Sequence, residues 1–308
     1  MLIEVSAKEF KHRFGTDPHP FISEQFSEFN KWKADKIVRL IEDTQKVSIG
    51  LIAGIKDGIL KSPFSAPFGG FHYQNESIYI NKIEEFIENL LVYSKKQEIK
   101  EICLILPPSI YQQSFNAKVV NLLIRQGFEM ALPEITNWIE LRHFNGRFSH
   151  RSSREYYQQA VKNHLLFSAL TEHEEKIIAF DIICENRKRF GRPIHMSFDD
   201  IIHMGEMWPV DFFCIKAPEG EMLASGIFYQ FPRQISYAVF WGDTEKGRPL
   251  RAMDFLIYNL LSHYKSAGFE YIDLGISTES GVPNEGLLRF KETHESTSSL
   301  RYSFTWKA

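Results

Sequence analysis

The sequence predicts an α/β protein built as two similar halves, and three observations carry that prediction. Buried-strand runs such as "EICLIL" and "YIDLG" alternate with stretches whose apolar residues recur at helical spacing. The same order of features, a strand hairpin, an amphipathic helix and a further buried strand, occurs twice. From Phe71 to "EICLIL", and again from Trp241 to "YIDLG", the interval is about 30 residues, the length of one strand-helix-strand unit.

In the first half, "KVSIGLIAG" reads as a strand over 47–55, turned at Asp57-Gly58 into a return strand that enters the Pro/Gly-rich loop "SPFSAPFGGF" (62–71). A helix is expected over 78–96, with Ile80, Ile83, Phe86, Ile87, Leu90 and Leu91 on its apolar face and Ser77 placed to cap it. The strand "KEICLILPP" is closed by two prolines. A second helix over about 113–126 ends at Gly127, and "ITNWIELR" is a further strand.

The second half opens with the polar, basic crossover "RHFNGRFSHRSSREYYQQAVKNH", so the sequence places the boundary near residue 148 and the domains at 1–148 and 149–308. "FFCIKAPEGEMLASGIFYQF" and "QISYAVFWGD" are strands joined by turns. The segment 249–265 is an amphipathic helix with Met253, Ile257, Leu260, Leu261 and Tyr264 inward, and "FEYIDLG" is the buried strand behind it.

Composition excludes several function classes. With 44% hydrophobic and 14% aromatic residues in 308, the chain can bury a large core. Its 36 basic and 39 acidic residues leave a net charge of -3 and no charged tail, so no global field draws it to nucleic acid or anionic lipid. Cys103, Cys184 and Cys214 are odd in number and lack Cys-x-x-Cys spacing, which argues against a disulfide framework and for a reducing cytoplasm. No apolar run approaches the roughly 18 residues of a spanning helix.

The chain has no Gly-x-Gly-x-x-Gly, no P-loop and no Gly-x-Ser-x-Gly elbow, so the chemistry must come from polar groups at strand ends. Pro249 fits the first position of a helix, which gathers Lys246, Arg248 and Arg251 around a terminus that is already positive and invites a phosphate or pyrophosphate. In "SPFSAPFGGF", Phe68, Gly69 and Gly70 permit close backbone approach to a ligand. Asp273 lies at the end of a buried strand, where open α/β sheets place ligands, and Lys291 on the last connection can reach the same cleft. Tyr237 and Tyr258 flank that region as candidates for proton handling. His195, Asp199 and His203 would share a helical face, but Ser197 with Asp200 is a capping-box pattern that starts the helix after His195, so no metal is expected.

Four stretches together resemble a known family: "SPFSAPFGGF" before a helix, the strand "CLILPP", "SSREYYQQAVKNH", and the C-terminal "RPLRAMDFLIYNLLSHYKSAGFEYIDLGIS" followed by "NEGLLRFKETHES". Across most of its length the chain resembles the FemABX-like branch of the GNAT-fold acyltransferases, in which two GNAT-type domains are fused. The resemblance implies two tandem GNAT-like domains, the first on the acceptor side and the second carrying donor and transfer. It implies transfer of an acyl or aminoacyl group to an amine of a cell-envelope or polysaccharide precursor. Acyl-CoA or aminoacyl-tRNA would be the co-substrate, with the net charge favouring the smaller, and no tightly bound cofactor is implied. The family's Phe-Lys pair falls on Phe290 and Lys291, and its lysine would stabilise charge at the reacting carbonyl. Three features depart from the family: "THES" stands where Phe-Gly is usual, Leu106-Pro107 replaces an Asp-Pro, and no tRNA-binding helical arm is evident. These departures motivate the alternative of a non-catalytic GNAT-fold protein that binds a carbohydrate or nucleotide.

Overall fold

A computed structural model describes residues 1–15, 17–44 and 46–308. The chain forms two compact units: residues 1–136, 278–282 and 299–308 make the first, and residues 137–277 and 283–298 the second. The division therefore falls between Thr136 and Asn137 rather than near 148, and the first unit takes back two later segments. The physical reason is the strand predicted from "ITNWIELR", whose residues from Asn137 onward belong to the second unit rather than closing the first.

The strands of the first unit are β1 (Leu2–Glu4), β2 (Lys36–Glu42), β3 (Ile49–Lys56), β4 (Ile59–Ser62), β5 (His72–Tyr73), β6 (Glu101–Ile105) and β7 (Glu129–Met130). The second unit's sheet takes β8 (Glu134–Glu140), β9 (Leu166–Ala169), β10 (Val210–Lys216), β11 (Met222–Phe231), β12 (Ile235–Asp243) and β13 (Tyr271–Ile276). A short hairpin, β14 (Thr278–Glu279) with β15 (Val282–Pro283), precedes β16 (Thr297–Arg301) and β17 (Ser303–Lys307). The helices are α1 (Ala7–Phe14), α2 (Glu24–Phe29), α3 (Ile80–Lys96), α4 (Ser114–Arg125), α5 (Arg151–Lys162), α6 (His173–Arg189), α7 (Phe198–Met204), α8 (Ala252–Ser266) and α9 (Glu285–Thr293).

The first sheet runs β1-β2-β3-β4-β6-β17-β7, with β5 also on β3. β4 and β6 are parallel, and β17 is antiparallel to both β6 and β7. The predicted hairpin forms because Asp57 (φ 54°) and Gly58 (φ 79°) both take the left-handed conformation that matches strand twist. Helix α3 buries Ile83, Phe86, Ile87 and Leu90 against the sheet, each contributing about 1.5–3 kcal/mol of apolar transfer. Its start differs from expectation: Tyr79 is the N-cap, Ile80 is exposed, and Ser77 turns back to bond Asn75. A glutamate supplies the neighbouring cap instead, as Glu76 Oε2 accepts from Ser114 N at 2.7 Å and Phe115 N at 3.3 Å at the start of α4.

The second sheet runs β16-β8-β13-β12-β11-β10-β9, with β9 to β12 antiparallel neighbours and β12 parallel to β13. Helix α8 packs Ile257, Leu260, Leu261 and Tyr264 into its core as predicted. Each unit is thus built on one mixed sheet with flanking helices. Among the described residues all three cysteines are free, and no helix is long and apolar enough to cross a membrane.

Candidate functional site

Strands β12 and β13 pair in parallel at Ile235 with Tyr271, Ser236 with Ile272 and Tyr237 with Asp273. Pairing stops there, although β12 runs on to Asp243 and β13 to Ile276, so the sheet opens into a fork beyond Tyr237 and Asp273. Backbone groups inside a fork lose their ladder partners and must find others. Gly275, at φ 70°, bends β13 so that two successive carbonyls converge on one point. Lys291 Nζ occupies that point and donates to Gly275 O and Ile276 O, each at 2.9 Å.

Lys291 arrives from α9, whose start is fixed by Asn284 accepting from Leu287 N at 3.3 Å. It is 1% exposed, as is Asp273, whose Oδ1 accepts from Gly275 N at 2.8 Å. Burial lowers the Lys291 pKa to about 7, Asp273 opposes the shift, and Arg187 on α6 adds to it. Arg187 itself is held below the ordinary guanidinium value by burial and by Arg192, and its buried Nε meets no acceptor among the described residues. Lys291 thus lies beside Asp273 and Arg187, the latter unmarked in the sequence, while Tyr237 pairs with Asp273 through the backbone and stacks its ring on Tyr229 and Phe231. An ammonium has three N–H donors, and two are committed to carbonyls.

Directly behind Lys291, the sequence "TH" that departs from the family forms a buried contact. His294 Nδ1 lies 2.6 Å from Phe290 O and its Nε2 lies 3.1 Å from Asp254 Oδ1 on α8. Both neighbours are acceptors, and each lies against one ring nitrogen. The ring also stacks on Phe290 at 4.2 Å, and Phe290 meets Trp241 of β12 edge-on at 5.8 Å. Phe290, expected on the donor side, is therefore placed against the β12 arm of the fork. The spacing of Asp254 and His294, 40 residues apart, left no local signal for this pair.

The basic turn between β12 and α8 departs from expectation. Lys246 pairs with Glu221 at 2.8 Å, and Arg248 lies 3.4 Å from Asp243, so two of the three cations already face carboxylates. Pro249 lies upstream of the helix; Arg251 is its N-cap, at φ 64°, with its guanidinium 3.6 Å over the Tyr156 ring and a buried Nε that meets no acceptor among the described residues. The sequence argument failed because Glu221 and Asp243, distant or unnoticed in sequence, supply the missing anions. The turn still borders a cavity of about 600 Å³ lined by Asn186, Lys188, Arg189, Asp243, Thr244 and Lys246.

In the first unit, Phe68, Gly69 and Gly70 face inward. Phe68 is 2% exposed and packs edge-on against His19 and Phe21. Gly69 donates to Ile105 O at 2.8 Å, and a Cβ there would sit 2.5 Å from Pro63 N. These glycines pack the loop on its own start, Gly70 exchanging bonds with the Ser62 hydroxyl, where the sequence led us to expect Phe68, Gly69 and Gly70 to admit close approach of a ligand. Tyr258 lies outside the fork, donating to Gly146 O at 2.8 Å. Ser197 forms the predicted capping box with Asp200, leaving His195 before the helix.

No family model matches the sequence, and no curated protein matches it. Solved structures do share its fold. The crystal structure of FemX is similar with a TM-score of 0.69 at 12% identity, covering 100% of this chain and 97% of that one. The C-terminal domain of a protein described as a lysylphosphatidylglycerol synthetase, from Agrobacterium fabrum, gives 0.59 at 11% identity, covering 98% and 93%. A GCN5-related N-acetyltransferase from Sphaerobacter thermophilus gives 0.52 at 9% identity, covering 100% and 95%.

Proposed function

We propose that this tandem GNAT-fold chain is an acyltransferase that moves an acyl or aminoacyl group to an amine, with the reaction centred on the fork of the second unit. The observation that carries the reading is the Lys291 ammonium held on the carbonyls of Gly275 and Ile276 where β12 and β13 part. The similar structures, FemX, a lysylphosphatidylglycerol synthetase domain and an N-acetyltransferase, support the same class. The acceptor we favour is an amine on a cell-envelope or polysaccharide precursor. The donor is acyl-CoA or aminoacyl-tRNA.

The chemistry needs no covalent enzyme intermediate. The acceptor amine attacks the thioester or ester carbonyl, the carbonyl oxygen becomes an oxyanion, the amine loses a proton, and the thiol or hydroxyl leaves. Lys291 in its ammonium form has one N–H beyond the two given to backbone carbonyls, and in a site shielded from water that donor stabilises the oxyanion. Asp273 keeps part of the ammonium population charged despite burial, since its carboxylate raises the Lys291 pKa. Arg187, with no acceptor on its Nε, is placed to take an anionic group of a substrate entering the fork. Arg251 is the remaining donor-phosphate candidate in the basic turn, because Lys246 and Arg248 are paired.

A second reading, a non-catalytic protein that binds a carbohydrate or nucleotide, is favoured by the closure of the site, since Lys291 and Asp273 are each 1% exposed. One experiment separates them. Thermal shift with acetyl-CoA, longer acyl-CoAs and charged tRNA identifies the donor, because a ligand that binds only the folded state raises Tm. Turnover of the donor so found, lost in Lys291→Met, supports transfer; binding without turnover by any amine acceptor supports the binder.

A further inference from the structure

The fork holds more positive charge than its own carboxylate answers. Lys291 and Arg187 are both there, Asp273 is the carboxylate that acts on Lys291, and two cations against one anion leave an excess of one positive charge. Arg192, which also acts on Arg187, is exposed, so water screens it.

That excess sits on Arg187. Helix α6 ends in three cations, and their surroundings differ. Lys188 is exposed, and Arg189 reaches Asp243 at 3.4 Å and Glu245 at 3.7 Å. Arg187 turns inward: it is half-buried, its Nε is shut off from solvent, and among the described residues it has no carboxylate partner. The helix cannot easily rotate it away, because the adjacent Asn186 donates to Asp243 O at 2.9 Å and to Asp243 Oδ1 at 2.8 Å, and Ile183 one turn earlier is fully buried.

A buried cation without a counter-ion is costly, and a bound anion offsets that cost. Charge number decides which anion fits. A monoanion brings the fork to neutrality, whereas a phosphate dianion would leave an excess negative charge in the same shielded place. The planar edge of a guanidinium, Nε with one Nη, also matches the two oxygens of a carboxylate.

We infer that Arg187 is a specificity-determining residue, selecting a substrate that carries one carboxylate close to the reacting amine or carbonyl. The inference rests on the fork being the site of acyl transfer. Two sources present this chemistry: an acceptor of amino-acid type, whose carboxylate lies beside its amine, and a donor whose acyl chain ends in a carboxylate. The carboxylate is held and neither makes nor breaks a bond.

Thermal shift of the full chain at constant ionic strength tests it with matched probes. Propionate is set against propionamide and inorganic phosphate, alanine against alaninamide, and succinyl-CoA against pentanoyl-CoA. In at least one set the carboxylate is expected to raise Tm at concentrations about tenfold lower than its match, as a charge-assisted hydrogen bond gives. Arg187→Gln is expected to abolish that preference and, since it removes an unanswered buried charge, to keep or raise the unliganded Tm. Arg187→Lys, which keeps the charge without the planar edge, is expected to retain part of the preference. Preference for alanine assigns the carboxylate to the acceptor, and preference for succinyl-CoA assigns it to the donor. The inference is overturned if no set shows a carboxylate preference, if phosphate binds best, or if Arg187→Gln leaves the preference intact. Arg187-dependent carboxylate binding without transfer from any donor would sustain the carboxylate site and remove the transfer reading; Lys291-dependent transfer without carboxylate preference would do the reverse.

Discussion

The ammonium of Lys291 lies 2.9 Å from the carbonyl oxygen of Gly275, and Gly275 presents that oxygen only because its backbone sits at φ 70°. Space is not the constraint, since a Cβ at Gly275 would meet nothing within 4 Å. Conformation is. Gly275→Ala is expected to lower stability by about 1–2 kcal/mol, the cost of a left-handed residue with a side chain, and to reduce transfer by moving the carbonyl off Lys291. Urea unfolding measured beside turnover checks both.

Replacing Lys291 by Met retains an apolar side chain of similar reach and removes the ammonium. Transfer is expected to fall by about 10²–10³ in kcat, the loss seen when one oxyanion donor is removed. Steady-state kinetics with the identified donor decide it; an unchanged kcat removes the assignment.

The pH dependence has a definite sign. The Lys291 pKa falls from 10.5 to about 7 on folding. Between those values the unfolded chain holds a proton that the folded chain has released, so this group's contribution to stability rises with pH from about 7 to 10.5. Below about 7 the cost of the buried charge is fully present. Wild-type stability relative to Lys291→Met is therefore expected to improve between pH 7 and pH 10, by denaturant midpoint. Transfer that uses the ammonium shows the opposite trend, a descending limb near pH 7, and Lys291→Arg is expected to move that limb to higher pH.

The Asp254 and His294 pair is expected to couple. His294→Ala empties a buried ring site and leaves the Asp254 carboxylate without its histidine partner, while the Phe290 carbonyl keeps the Thr293 hydroxyl at 3.1 Å, at a cost of roughly 2–4 kcal/mol. A double-mutant cycle with Asp254→Asn is expected to give a coupling above about 0.5 kcal/mol, and strict additivity would show that the contact is incidental.

Much of the fold was legible because its elements announce themselves locally. Ile257, Leu260, Leu261 and Tyr264 mark the buried face of α8 by spacing alone, and Asp57-Gly58 names its own turn. Ser197 with Asp200 likewise showed where α7 starts. The site was legible only in part. Asp273 and Lys291 meet where β13 leaves its pairing with β12, but the partners that set their chemistry are distant in sequence. Arg187 gave no signal within its helix, and Glu221 and Asp243 cancel the cations that looked unanswered at the turn. Ser77 lost its capping role for a similar reason, as Asn75 beside it offered a nearer partner.

Strand β17 lies between β6 and β7 in the first sheet, with Phe304 opposite Leu104 on one side and Met130 on the other. During synthesis, β6 and β7 emerge well over a hundred residues before the strand that joins them. Until then their inner edges are open to pairing with other chains, a recognised route to aggregation. The second unit must therefore be translated before the first can close, and assembly of this protein on the ribosome cannot proceed strictly from front to back.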